Sequence, residues 1–140
     1  MELGTALLIV ALLLVGATAL GFVVRARNSR VARGCGADEH SLAVDGAEVT
    51  LVQLSSPVCS ACVAMRRVFG EITAADPTVA HREIDVVDEA ELAQRHSVYS
   101  TPTTLVLDAQ GRVRSRIIGA VRPDAVHAAI DAARRELVSA

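Results

Sequence analysis

The feature that most restricts how this chain can fold is the position of Cys59-Ser60-Ala61-Cys62, directly behind the apolar run Val49 to Leu54. A run that is apolar at nearly every position suits a strand covered on both faces. From Ser60 to about Ala74 the residues Val63, Val68, Phe69 and Ile72 recur at helical spacing, and Asp76-Pro77 ends the pattern. A strand thus delivers two cysteines onto the first turn of a helix, where residues three apart share a face. The unpaired amides of that turn favour a thiolate over a thiol. The motif reads as a dithiol redox site.

The rest of the chain supplies an α/β pattern around it. Val79 to Ile84 reads as a second strand, and Asp88 is placed to cap a helix through Arg95, with Glu89 and Glu91 in its first turn. Thr103 to Leu107, the turn Asp108-Ala109-Gln110-Gly111 and Arg112 to Ile118 make a hairpin. Pro123 suits the first turn of a closing helix that runs to about Val138. Upstream, Ser41 to Val44 reads as a short strand turning at Asp45-Gly46. The order provides helices for both faces of a sheet. Phe22, Phe69 and Tyr99 are the only aromatic residues, so Val, Leu, Ile and Ala must build the core.

Leu3 to Val24 holds no charged residue, and as a helix it would cover about 33 Å, enough for a hydrocarbon core. Ala17-Thr18-Ala19 has the small residues of a signal-peptidase site, but only Glu2 and the terminal amine precede the apolar stretch, unlike the basic head of a secretory signal. Arg25, Arg27, Arg30 and Arg33 crowd the far side, and positive flanks stay cytoplasmic. The expected arrangement is a single-pass anchor in the cell membrane with the amino terminus out and the domain in the cytoplasm; an extracytoplasmic domain is the alternative. Arg33 breaks the small-residue pattern that lipid attachment at Cys35 would need, so Cys35 reads as an unpaired thiol. The expected division is an anchor with its basic flank at 1–27, a linker at 28–40 and a folded domain at 41–140. From Gly36 onward 10 Arg face 15 Asp and Glu, a balance that argues against nucleic acid as a partner.

The stretch from Val49 to about Leu137 resembles the thioredoxin family in element order, in Cys59-Ser60-Ala61-Cys62, in Thr101-Pro102 and in Gly119 before the last helix. More narrowly, the chain is similar to small membrane-tethered bacterial proteins with that domain. The resemblance implies a central mixed sheet flanked by helices. It implies that Cys59 attacks a substrate disulfide, that Cys62 resolves the mixed disulfide, and that Pro102 is a cis-proline beside the pair. Thr101 would offer backbone groups to an extended substrate segment. It implies a protein-disulfide reductase with no dissociable cofactor and no metal. Its substrates would be disulfide-containing proteins or small thiols, and a reductase or thiol carrier would donate electrons. A cytoplasmic domain favours reduction over oxidation.

Four positions depart from the family. Val58 stands where tryptophan is usual, Ser60-Ala61 replaces Gly-Pro, and Gln53 occupies the place of a buried acid that helps deprotonate the second cysteine. Two other readings follow. One is a non-catalytic adaptor on the same fold; the other is a zinc site built from Cys35, His40, Cys59 and Cys62, which needs the linker to fold back onto the helix. His81, His96 and His127 read as surface or satisfied side chains. Arg112, Arg114 and Arg116 alternate as a solvated face.

Overall fold

The computed structural model describes residues 2–28, 30–33 and 37–138. Helix α1 (Glu2–Asn28) is followed by β1 (Arg30–Arg33), β2 (Val49–Ser55), α2 (Ser60–Ala75), β3 (Val79–Asp85), α3 (Ala90–Arg95), β4 (Thr103–Asp108), β5 (Val113–Ile118) and α4 (Pro123–Val138). The strands form one sheet in the order β1-β5-β4-β2-β3. β2 and β3 are parallel with α2 as their crossover, while the β2–β4, β4–β5 and β5–β1 pairs are antiparallel. This is the mixed sheet flanked by helices that the resemblance implies. Gly4–Val24 of α1 has a mean hydropathy of 2.8 and none of it is buried, so the helix is long and apolar enough to cross a membrane.

β2 is buried along its whole length, as its composition requires. One face of the sheet is covered by α2 and α4, which pack Met65, Phe69, Ile72, Val126, Ile130 and Ala133 against Val49, Leu51, Val106 and Ile117. The other face is closed by Leu92 of α3 and by Leu42, against Val52, Leu54, Leu105 and Leu107. Along the face under α2 the in-register pairs Val49–Val79, Leu51–His81, Gln53–Glu83 and Ser55–Asp85 grade from apolar to polar. The polar end lies beneath the start of α2, where the cysteines are.

Several expectations are corrected. Ser41 to Val44 is not a strand: His40–Leu42 is a 3-10 turn that plugs Leu42 into the second core, and Val44 is left exposed. Within 28–40, read as linker, Arg30–Arg33 instead adds an edge strand, with Val31 opposite Ile117, and Asp38 bridges to Arg112. Asp88 is not the cap of α3 among the described residues: the helix begins at Ala90 behind Glu89, which makes no side-chain cap, and the preceding turn is held by Asp85 Oδ1 accepting from the Val87 amide at 2.8 Å. The inward face of α2 is Cys62, Met65, Phe69 and Ile72, and Val63 faces out. Arg114 is no part of a solvated face, because its Nε donates at 2.6 Å to Asp108, a carboxylate with 0% side-chain exposure. Asp108 also accepts from the amides of Gln110 and Arg112, which closes the hairpin turn. Gly111 is required there: its φ is +76°, and an added Cβ would lie 2.4 Å from the His40 Cα.

The end of α2 is tied to α4. Asp76 accepts from the Thr78 amide and hydroxyl at 3.0 and 2.6 Å and from Arg134 at 2.7 Å. The Arg134 guanidinium first, then Thr78, holds the Asp76 carboxyl down from its ordinary 3.8 to about 2. A carboxyl depressed on folding stabilises the native state above its unfolded pKa and loses that contribution as pH falls through the folded one. The expected outcome is a loss of stability for the native chain between about pH 4 and pH 2, modest because the pair is exposed to solvent, and a slightly shallower slope for Asp76→Asn, read by urea unfolding across that window.

Candidate active site

Cys59 occupies the N-cap of α2. Its backbone is extended, at φ −129° and ψ 95°, and its carbonyl accepts from the amides of Cys62 and Val63 at 3.1 and 3.3 Å. Its sulfur accepts from the Cys62 amide at 3.1 Å. The side-chain role usually filled by serine or aspartate at a helix start is thus filled by sulfur. An amide donor and the positive end of the helix both favour negative charge at that sulfur. The two sulfurs are bonded to each other, with the Cα atoms 5.2 Å apart. Cys59 is partly exposed, whereas Cys62 is 1% exposed. An open sulfur and a covered one bridged at a helix start can exchange a disulfide in sequence: the outer sulfur meets a partner and the inner one closes the ring.

The other face of the site comes from the start of β4. The Thr101–Pro102 bond is cis and Pro102 is buried. Leu54 lies opposite Thr103 in the sheet, and the Ser56 and Thr101 hydroxyls are 3.0 Å apart. Together these bring the Thr101-Pro102 turn alongside the segment leading into Cys59. The Pro102 carbonyl accepts from the Gly119 amide at 2.8 Å, with Gly119 at φ +73°. Thr103 Oγ1 donates to the Ser100 carbonyl at 2.7 Å, which closes the turn from within. Val58 is 99% exposed beside Cys59, and Tyr99 is also exposed.

Beneath the pair, Gln53 is wholly buried and its amide nitrogen donates to the Cys62 carbonyl at 3.0 Å and to Ser55 Oγ at 2.9 Å. Its amide oxygen lies 3.2 Å from His81 Nε2. Burial pushes the His81 imidazole below its ordinary 6.5. Next to it, Arg66 binds Glu83 through two nitrogens at 2.6 and 2.7 Å and holds that carboxyl below its usual range.

All four residues expected at the site therefore lie in two adjoining segments. The Ser56–Thr101 contact had no signal in the sequence. The Gln53 contacts had one, since a polar side chain inside a buried strand needs partners. His96 is satisfied, with its Nε2 2.8 Å from Glu39, and His127 is exposed. Cys35, read as an unpaired thiol and as a zinc ligand, lies outside the described residues. Of the other three zinc candidates, Cys59 and Cys62 are bonded to each other, and His40 Nδ1 lies 3.3 Å from the Gln110 carbonyl.

Comparison with known proteins agrees with this geometry. Residues 38–134 match the family model described as a thioredoxin-like domain. The oxidised mitochondrial thioredoxin 3 of Saccharomyces cerevisiae is 24% identical with a TM-score of 0.54, covering 61% of this chain and 78% of that one. A thioredoxin variant from Halobacterium salinarum is 23% identical with a TM-score of 0.56, covering 69% and 81%. A thioredoxin from Nicotiana alata is 28% identical with a TM-score of 0.52, covering 59% and 70%. No curated protein matches the chain. A cysteine pair bridged at a helix start on this fold is the equipment of a thiol-disulfide oxidoreductase, a chemistry that typically needs no cofactor. Because the family match extends from the turn before β2 almost to the end of α4, with the cysteine pair inside it, the chain belongs to the thioredoxin-like family.

Proposed function

We propose that this protein is a membrane-anchored reductase of protein disulfides. The single observation that supports it best is the pairing of a partly exposed Cys59 at the N-cap of α2 with a buried Cys62. In the reduced protein, the Cys59 thiolate attacks one sulfur of a substrate disulfide and forms a mixed disulfide. The other substrate sulfur leaves as a thiolate and takes a proton from water. Cys62 then gives up its proton and attacks the Cys59 sulfur. This re-forms the Cys59–Cys62 bond and expels the second substrate sulfur. The substrate gains two electrons and two protons, and the pair becomes the disulfide seen here. A reductase or another thiol carrier returns the electrons. Thr101 would offer backbone groups to an extended substrate segment, beside Pro102 and the cysteine pair.

The anchor is α1, with the expected division at 1–27, 28–40 and 41–140 and the strand at Arg30–Arg33 drawing part of the linker against the domain. The arginines behind the apolar span favour a cytoplasmic domain, and that compartment favours reduction.

Two experiments test this. Full-length protein in detergent, kept reduced by limiting dithiothreitol, is expected to accelerate insulin precipitation well above the dithiothreitol background; a rate equal to background contradicts a reductase. In intact cells carrying the Cys35→Ser chain, a membrane-impermeant maleimide is expected to label the reduced pair only after lysis. Labelling without lysis reverses the orientation.

A further inference from the structure

Gln53 fixes a hydrogen-bond direction that runs from the active site to the edge of the sheet. The Cys62 carbonyl can only accept, so the Gln53 amide nitrogen must face it. The amide oxygen then faces His81 and can only accept, so His81 Nε2 carries the hydrogen. Nδ1 is left as the basic nitrogen of the ring. The groups around the imidazole are Gln53 from β2, the Phe69 ring at a centroid distance of 5.1 Å and Arg66 from α2, and Glu83 from its own strand. β3 is an edge strand, and His81 is only partly buried, so a proton can reach the ring from solvent.

We propose that Gln53 and His81 are positioning residues for the second half of the exchange, His81 orienting the Gln53 amide and Gln53 holding the first turn of α2 through the Cys62 carbonyl. The inference rests on Cys62 being the thiol that closes the ring. Neutral His81 already sets the amide. When Nδ1 takes a proton, the Nε2–H becomes a charged donor, the pull on the amide is passed to the Cys62 carbonyl, and positive charge behind Cys62 favours its thiolate. The rate of ring closure therefore falls with pH less steeply below 6.5 than the loss of thiolate alone would make it, giving a shoulder in the profile.

The test is a stopped-flow reaction of reduced full-length Cys35→Ser protein in detergent with Ellman's reagent. The first release of thionitrobenzoate depends on reagent concentration and reports attack by Cys59. The second is independent of it and reports ring closure by Cys62. His81→Phe is expected to slow the second phase roughly tenfold, remove the shoulder and leave the first phase within about twofold. His81→Gln keeps a donor for Gln53 but cannot take a proton; it is expected to restore the rate at neutral pH without the shoulder. A second phase unchanged in His81→Phe and Gln53→Met, or a first phase slowed as much as the second, overturns the proposal. If His81→Phe does not fold, His81→Gln decides alone, and a shoulder that persists in it overturns the proposal. Absence of any second phase in the native chain is a different failure, that of Cys62 as the closing thiol.

Discussion

Cys59→Ser is expected to abolish disulfide exchange, by roughly a thousandfold or more, because residues that act as one unit fail together, whereas Cys62→Ser is expected to leave the protein covalently attached to its substrates. The asymmetry follows from burial. Cys59 is partly exposed and receives the Cys62 amide, so it can begin the reaction alone. Cys62 is covered and its sulfur is bonded to that of Cys59, so its loss stops the chemistry after the mixed disulfide has formed. Non-reducing gels of cells expressing Cys62→Ser should show high-mass adducts that dithiothreitol collapses, and Cys59→Ser should show none. Equal adducts from both variants would mean that the two sulfurs are interchangeable, which their different burial does not allow.

The largest expected effect on stability is at Phe69. It is fully buried and belongs to the cluster under α2 and α4, with its ring tilted against His81. Truncation to alanine removes most of the side chain and leaves a cavity that a sheet and two helices cannot collapse around. The expected cost is about 3–5 kcal/mol, which for a domain of this size lowers the melting temperature by roughly 15–30 °C. Val63 is on the same helix and also belongs to the apolar set, but it faces out; Val63→Ala is expected to change stability by no more than about 0.5 kcal/mol. Thermal unfolding of the two variants by circular dichroism compares them. Similar melting temperatures would show that α2 does not dock through the Cys62, Met65, Phe69 and Ile72 face.

The elements that were legible in the sequence carry their own signal. Val49–Ser55 is apolar enough to be a covered strand, and Pro123 marks the start of α4. The cysteine spacing placed both sulfurs at the start of α2, and the family resemblance rather than any spacing pointed to the cis bond before Pro102. Elements fixed by distant partners were not legible. Arg30–Arg33 is too short and too basic to read as a strand, and it becomes one only because β5 offers an open edge. Ser41 to Val44 has the composition of a strand, but Leu42 finds a pocket in the second core, and the chain turns there instead. Asp88 has the right residue type for a cap, yet the helix starts one residue later, behind Glu89, after a turn that Asp85 holds. The same holds at the site: Gln53 was visible as an oddity, while its bonds to Cys62 and His81 depend on the packing of β2, β3 and α2.

The most direct test of the account is the pH dependence of Cys59 alkylation by iodoacetamide in reduced, native, full-length protein with Cys62 and Cys35 replaced by serine. The expected result is rapid modification with a midpoint below the ordinary cysteine value of about 8.5, since the amide at the start of α2 and the helix end both favour the thiolate. A midpoint at or above that value, or a sulfur that reacts only after unfolding, would contradict the assignment of Cys59 as the attacking group.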